Sequence, residues 1–437
     1  MPLRAGKDVE VIERETVFPK LLEELNTAPA AAMLDVAYEV LSEPLGLRHL
    51  WLYLADYGEQ KLEPVPSRFN PPPPDSIRIR GTVPGRAFLT RGPVEAEGDA
   101  EGGPILWIPI FQRSDSIGVL GLGVKSHEAE VPSYATALGA LIGAAVVGAR
   151  RHSDVFEMTR GAGQLRLAAM MQWDLLPLPS YADSRVHVAG GLEPAYDIAG
   201  DTFDFAANDS RLDLSVFDAM GHGLGATLLT TLAVGAYRLG RRRGRSLPEL
   251  AADIDLAVLY QGGGEAFVTG HLCTLDLREG QLEWINAGHP LPLLIRNHAS
   301  SEAAPVDPML PFGLEGEPPQ PARLGLEPGD ILLFYSDGVI DALSSAGEPF
   351  GLPRLVDLAG RHYASGGSLS LGVRHILDDV LEHSGRRLRD DATLLAAINA
   401  NLLTFVRLVR EAVPHMQAGR WGRICLIASS SVKQPIP

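Results

Sequence analysis

Leu212-Asp213-Leu214-Ser215-Val216-Phe217-Asp218-Ala219-Met220-Gly221-His222-Gly223 is the stretch on which the reading of this chain turns. Leu212, Leu214 and Val216 alternate with polar residues, the period of a strand with one face in a core. The strand runs into an aspartate, and glycines follow at Gly221 and Gly223. An Asp at a strand end has a fixed backbone and a carboxylate facing solvent. Three other stretches have the same character: Ala199-Gly200-Asp201, the apolar run Ile331–Tyr335 entering Ser336-Asp337-Gly338-Val339, and Asp390-Asp391-Ala392-Thr393. Asp-Gly is a common turn dipeptide, and any one of these alone is more often a turn than a ligand. Together, in this order and with strand context at each, they read differently. Carboxylates converging on one point repel unless a cation neutralises them. Oxygen ligands without His or Cys favour Mg²⁺ or Mn²⁺ over zinc. The expectation is a carboxylate-walled site for two divalent ions.

Composition sets the frame. The chain has 437 residues, of which 46% are hydrophobic, ample for a large core. At roughly 150 residues per domain this suggests about three units, or two and a long linker. The formal net charge of -16 argues against a nucleic-acid partner. The one basic run, Arg241-Arg242-Arg243 with Arg245, follows the helical stretch Ala226–Leu239. It reads as a solvated helix end that complements the macrodipole rather than as a phosphate site. The cysteines Cys273 and Cys425 make neither a disulfide framework nor a zinc spacing, which fits a reducing cytosol. Met1–Arg14 is charged and lacks the apolar core of a signal peptide. The most apolar stretch, Ala135–Ala149, is shorter than the roughly 20 residues a membrane span needs and reads as a packed helix. A cytoplasmic location with no membrane span is expected.

The four acidic motifs resemble those of the PPM-type, metal-dependent protein serine/threonine phosphatases, in the bacterial branch of SpoIIE and RsbU. The resemblance runs from about Leu165 to Ile398. It includes Gln172-Trp173-Asp174-Leu175-Leu176-Pro177, Phe267-Val268-Thr269 and Asn286-Ala287-Gly288-His289-Pro290. The chain departs from it at Ala199, where many members carry a second Gly, and at Asp391, where the wider family often has Asn. Neither departure removes a carboxylate. The resemblance implies an α/β/β/α sandwich over 179–398, with two Mn²⁺ or Mg²⁺ ions in a cleft at one end. By the same resemblance Asp218 bridges both ions and the Ala219 carbonyl reaches one. Asp201 holds one ion directly or through water, Asp337 and Asp390 hold the other, and Asp391 is counted among the metal-binding residues. Asp201, Asp218, Asp337 and Asp390 are thus the expected catalytic set. The implied reaction is in-line attack of an activated water on a phosphoserine or phosphothreonine. The implied substrate is a phosphorylated anti-sigma-factor antagonist. His222 and His289 lie nearby in motif terms and are assigned no role. The alternative reading is a catalytically idle binding module.

Residues 21–150 read as a separate α/β unit. Ala31–Leu41 has helical periodicity, and His49–Ala55 alternates as a strand with Trp51, Tyr53 and Ala55 on one face. Pro71–Pro74 reads as a loop. Leu106–Ile110 and Ile117–Leu122 read as paired strands across the turn Gln112–Ser116, before a long helix from Tyr134. The pattern resembles a GAF domain, a small-molecule sensor; the whole is an α/β (α+β) chain. The domain has no Cys for a bilin, and His49 reads as a hydrogen-bonded residue rather than a haem ligand. A small ligand, or a purely dimerising role, both remain open, and a homodimer through this domain and the linker helix is expected.

Residues 151–178 read as a helical linker interrupted at Gly161-Ala162-Gly163, since glycine costs about 1 kcal/mol within a helix. Its second piece, Gln164–Trp173, is expected to pack its apolar side on the phosphatase domain or on a partner subunit. By the resemblance it is either a switch between sensor and metal site or a plain linker. Residues 399–437 differ in character. Pro414-His415-Met416 and Gly422-Arg423-Ile424 resemble pieces of a short-chain dehydrogenase, but no Tyr-x-x-x-Lys and no Gly-rich dinucleotide loop accompany them. The tail reads as an unrelated fragment without catalytic role.

Overall fold

The computed structural model describes residues 17–69, 75–96, 103–112, 115–124, 135–194, 200–297, 299–303, 307–318, 320–364 and 368–399. The expectations for Met1–Arg14, Pro71–Pro74, Ala199 and the tail beyond Asn399 lie outside these residues.

The amino-terminal part is built on one antiparallel sheet. Its helices are α1 (17–27), α2 (Met33–Leu41), α3 (Val83–Thr90) and α4 (Ala135–Ala149). Its strands are β1 (Leu47–Ala55), β2 (Lys61–Pro64), β3 (Ile77–Arg78), β4 (Val94–Ala96), β5 (Ile105–Gln112) and β6 (Asp115–Val124), ordered β3-β2-β1-β6-β5-β4. The expected β5–β6 hairpin is present, with Ile110 opposite Gly118. The β1 strand differs from a half-buried one. Trp51, Tyr53 and Ala55 join an aromatic cluster with Trp107 and Phe88, while Leu50, Leu52 and Leu54 pack with α2 and α4. Alternation in β1 therefore separates two cores, not core from water.

The linker is broken as its glycines suggest. A short helix α5 (Val155–Thr159) ends before Gly161, which has φ 96, and α6 (Leu167–Leu175) follows a 3-10 turn. Within the single chain α6 buries its small-residue face. Ala168, Ala169 and Gln172 point inward, while Leu167 and Met170 are 55% and 43% exposed.

The second part is a two-sheet sandwich. One sheet runs β15 (Ala322–Gly325), β12 (Gln281–Ala287), β11 (Val268–Asp276), β10 (Arg211–Ala219), β9 (Asp201–Asn208). The other runs β14 (Ala299–Glu302), β13 (Leu293–Arg296), β16 (Ile331–Tyr335), β17 (Ala392–Asn399), β8 (Val186–Glu193), β7 (Ser180–Ala182). All named strand pairs are antiparallel. Between the sheets lie Phe203, Leu214, Val216, Trp284, Phe334 and Leu395. Burying one such side chain contributes about 1.5–3 kcal/mol. Helices α7 (Leu224–Arg242) and α8 (Leu247–Gly262) cover the outer face of the first sheet. Helices α10 (Leu352–Ala364) and α11 (Leu369–His383) cover the second. This is the α/β/β/α layering expected. Among the described residues, no helix is long and apolar enough to cross a membrane.

The basic run is not simply solvated. Arg241 and Arg238 both pair with the buried Asp204, at 2.9 and 2.8 Å, tying α7 to β9. Arg242 and Arg243 are exposed.

Candidate metal centre

Asp218 is the penultimate residue of β10, and the neighbouring strands fix what stands beside it. Asp201, the first residue of β9, is opposite Asp218 on one side, and Thr269 of β11 is opposite it on the other. Beyond Ala219 the chain turns through Gly221 (φ 84) and Gly223 (φ 76) into α7. Positive φ is what these two positions require, since a Cβ there would meet nothing within 4 Å.

The second sheet supplies the other carboxylates. Strand β16 ends at Tyr335, and Asp337 opens the one-turn helix α9 (Asp337–Ile340). Asp390 and Asp391 enter β17, the neighbour of β16. Ser336 fastens the two ends: its hydroxyl donates to the Asp391 carbonyl at 3.1 Å and accepts from the Thr393 N–H at 3.0 Å. Packing is close enough that a Cβ on Gly338 would lie 2.0 Å from the Asp391 carbonyl oxygen.

Asp391 and Asp201 are buried, Asp218 is half-buried, and Asp337 and Asp390 stand exposed at the rim. Asp391 turns one oxygen inward. Its Oδ2 accepts from Gln172 Nε2 at 2.8 Å and from the N–H groups of Gly200 and Asp201 at 2.9 and 3.2 Å. Gln172 Nε2 also donates to the Asp201 carbonyl at 2.7 Å. Sequence reading quoted Gln172 in a motif but gave it no role. The available signal was a polar residue on the small-residue face of a helix, four positions after Ala168.

The electrostatics are those of crowded acids. Burial, then Asp218 and Asp391, raise Asp201 well above the ordinary carboxylate range, against the hydroxyls of Ser336 and Thr393. Burial, then Asp337 and Asp390, push Asp218 up to about 7. Asp391 is pushed to about 6 by burial, opposed by Gln172 and the two N–H groups. Partial burial raises Asp337 and Asp390 as well, Asp390 and Asp341 adding to the rise at Asp337.

Such a cluster fits a hard divalent cation. The donors are carboxylate and carbonyl oxygens, and the buried Asp201 Oδ2 and Asp391 Oδ1 have no hydrogen-bond partner. Among the described residues, no three acidic or imidazole side chains are already gathered closely enough to hold one ion.

Residues 208–398 match the family model described as Stage II sporulation protein E (SpoIIE). That match spans the sandwich from β10 to β17. Among curated proteins the chain is similar to "Phosphoserine phosphatase RsbP" of Bacillus subtilis (strain 168), with 27% identity over 191 residues, 42% of this chain and 46% of RsbP. It is also similar to "Phosphoserine phosphatase RsbU" of the same organism, with 22% identity over 233 residues, 53% of this chain and 69% of RsbU. The chain thus spans about half the length of RsbP. Among solved structures, the RsbU and RsbW domains of a Mycobacterium tuberculosis protein align at TM-score 0.45 and 25% identity, over 55% of this chain and 71% of that one. The SiaA-PP2C domain of Pseudomonas aeruginosa aligns at TM-score 0.46 and 20% identity, over 56% of this chain and 98% of that one.

Proposed function

We propose that this chain is a Mn²⁺- or Mg²⁺-dependent protein serine/threonine phosphatase acting on a phosphorylated regulatory protein of the anti-sigma-factor antagonist type. The observation that carries the reading is the meeting of Asp201 and Asp218 from one sheet with Asp337 and Asp390 from the other, all four raised by burial and the first three also by acidic neighbours. The two similar proteins named as phosphoserine phosphatases support the reaction class.

Asp218 and the Ala219 carbonyl at the end of β10 would hold the cations, and Asp201, Asp337 and Asp390 would supply further oxygen donors. Asp391, its Oδ2 engaged by Gln172 and two N–H groups, orients Asp201 from behind. When bound, divalent cations supply activation of water and stabilisation of charge on the phosphoryl oxygens. The exposed Asp337 and Asp390 put the acidic cluster at the surface, where a protein substrate could reach it.

The amino-terminal unit is read as the regulator, acting through α6. Trp173 packs on Tyr57 of the first unit with ring centroids 5.1 Å apart, while the adjacent Gln172 holds Asp391 and Asp201. A displacement of α6 by the first unit would therefore reach two site aspartates through one residue.

Phosphate release from a phosphoserine protein tests this. Activity should need Mn²⁺ or Mg²⁺, vanish with EDTA and return with added metal, and Asp218→Asn should abolish it. Undiminished turnover in Asp218→Asn would refute the site. Mn²⁺ binding with no hydrolysis of any phosphoprotein would favour the idle binding module.

A further inference from the structure

We propose that His289 is a positioning residue that holds the Asp218 end of β10 in place, acting through Thr269. The inference rests on the metal-site reading above.

His289 is held by its own backbone. The Asn286 side chain accepts from the His289 N–H at 2.8 Å and donates to the His289 carbonyl at 3.0 Å. Gly288, at φ 69, makes the turn between them. The ring is thereby aimed inward, and the residue is 4% exposed. Its Nδ1 meets the Thr269 hydroxyl at 2.9 Å. Thr269 is the cross-strand partner of Asp218, and its hydroxyl lies 3.4 Å from the Asp218 carbonyl. One imidazole thus ties the loop after β12 to the strand paired with Asp218.

Its surroundings fix its character. The ring of His271 stands perpendicular to it at 5.2 Å, and His271 Nε2 donates to the Pro290 carbonyl at 2.8 Å. Burial, then His271, hold His289 well below its ordinary value, so it is neutral at physiological pH. A neutral ring adds no charge that would compete with bound cations. With Nε2 buried it cannot reach a substrate, which separates this role from proton donation.

The test is calorimetric titration of the full chain with Mn²⁺ in the absence of substrate, alongside phosphate release. His289→Ala should weaken Mn²⁺ binding about tenfold or more, the scale on which partners behind metal ligands act. At saturating Mn²⁺ its kcat should return to within a few-fold of wild type. Thr269→Val should weaken binding to a similar degree, and the double variant should be no worse than either, since the two act as one unit. His289→Asn, whose amide can reach Thr269 as Nδ1 does, should restore most of the affinity. Wild-type Mn²⁺ affinity in folded His289→Ala, or a silent Thr269→Val, overturns the proposal. Should His289→Ala fail to fold, the near-isosteric Thr269→Val decides it alone. If the wild type itself binds no Mn²⁺, the metal-site reading falls and this inference with it; binding in the wild type with no change in the variants removes this inference only.

Discussion

One oxygen of Asp391 answers three donors, and this makes the residue separable from its neighbour Asp390 by substitution. Asn at 391 can still present a carbonyl oxygen to Gln172, Gly200 and Asp201. Ala cannot, and each buried donor left unpaired costs about 1–3 kcal/mol. Asp391→Asn is therefore expected to keep most activity and stability, and Asp391→Ala to lose several degrees of melting temperature and most turnover. Equal loss in both variants would mean that the charge of Asp391, not its inward oxygen, matters. A second residue-scale prediction concerns His271, whose buried ring is held down to about 4, chiefly by burial. The unfolded chain takes up this proton near pH 6.5 and the folded chain only near 4. The contribution is therefore fully present above about pH 6.5 and is lost as pH falls towards 4, at roughly 1.4 kcal/mol per pH unit. His271→Gln keeps a donor for the Pro290 carbonyl, and denaturant titrations should show a flatter acid limb for it between pH 6.5 and 4. An unchanged slope would contradict the burial argument. The sequence made the acidic residues visible because each follows or enters an apolar run. It concealed their partners, since Gln172 lies 219 positions from Asp391 and only the folded chain brings them together.

At the scale of elements, short apolar runs and glycines were readable, and the faces of elements were less so. The break in the linker was foreseen from Gly161 and Gly163, because backbone freedom is a local property. The inward face of α6 was less so, because Met170 and Leu167 drew attention to the side that is exposed in the single chain. Ala168 and Ala169 allow the helix to approach closely enough for Gln172 to reach the site, so small size was the relevant quantity. Likewise β1 has two buried faces, which alternation alone cannot reveal when both faces are apolar. The contact between α9 and the Asp390-Asp391 turn gives a prediction. Gly338→Ala would place a Cβ 2.0 Å from a backbone oxygen that has no flexible side chain to move aside. Overpacking of this kind costs about 1–3 kcal/mol. The variant should fold with a lowered melting temperature and a large loss of Mn²⁺-dependent turnover, because Asp337 opens the same helix. Normal turnover would show that the α9–β17 contact does not set the site. Trp173→Ala tests α6: removing its ring from Tyr57 should change turnover or Mn²⁺ requirement in the full chain, and no change would leave α6 a plain linker.

For the whole molecule, the strand orders β15-β12-β11-β10-β9 and β14-β13-β16-β17-β8-β7 could not be derived from periodicity. They join segments as distant as β8 and β17, and nothing local in either strand names the other. The resemblance supplied the layering that pattern could not. Each sheet brings part of the cluster, so the site exists only when the sandwich closes. A chain ending at Asn399, the last residue of β17, is expected to fold and keep its activity; a marked fall in melting temperature would show that the tail contributes to the domain. The central claim is that the aspartates at the paired ends of the sheets hold divalent cations. Anomalous diffraction at the manganese edge from crystals grown with Mn²⁺ tests it most directly. The account predicts two peaks, with Asp218 between them, Asp201 at one, and Asp337 and Asp390 at the other. Peaks elsewhere, or none among these residues at saturating Mn²⁺, would contradict it.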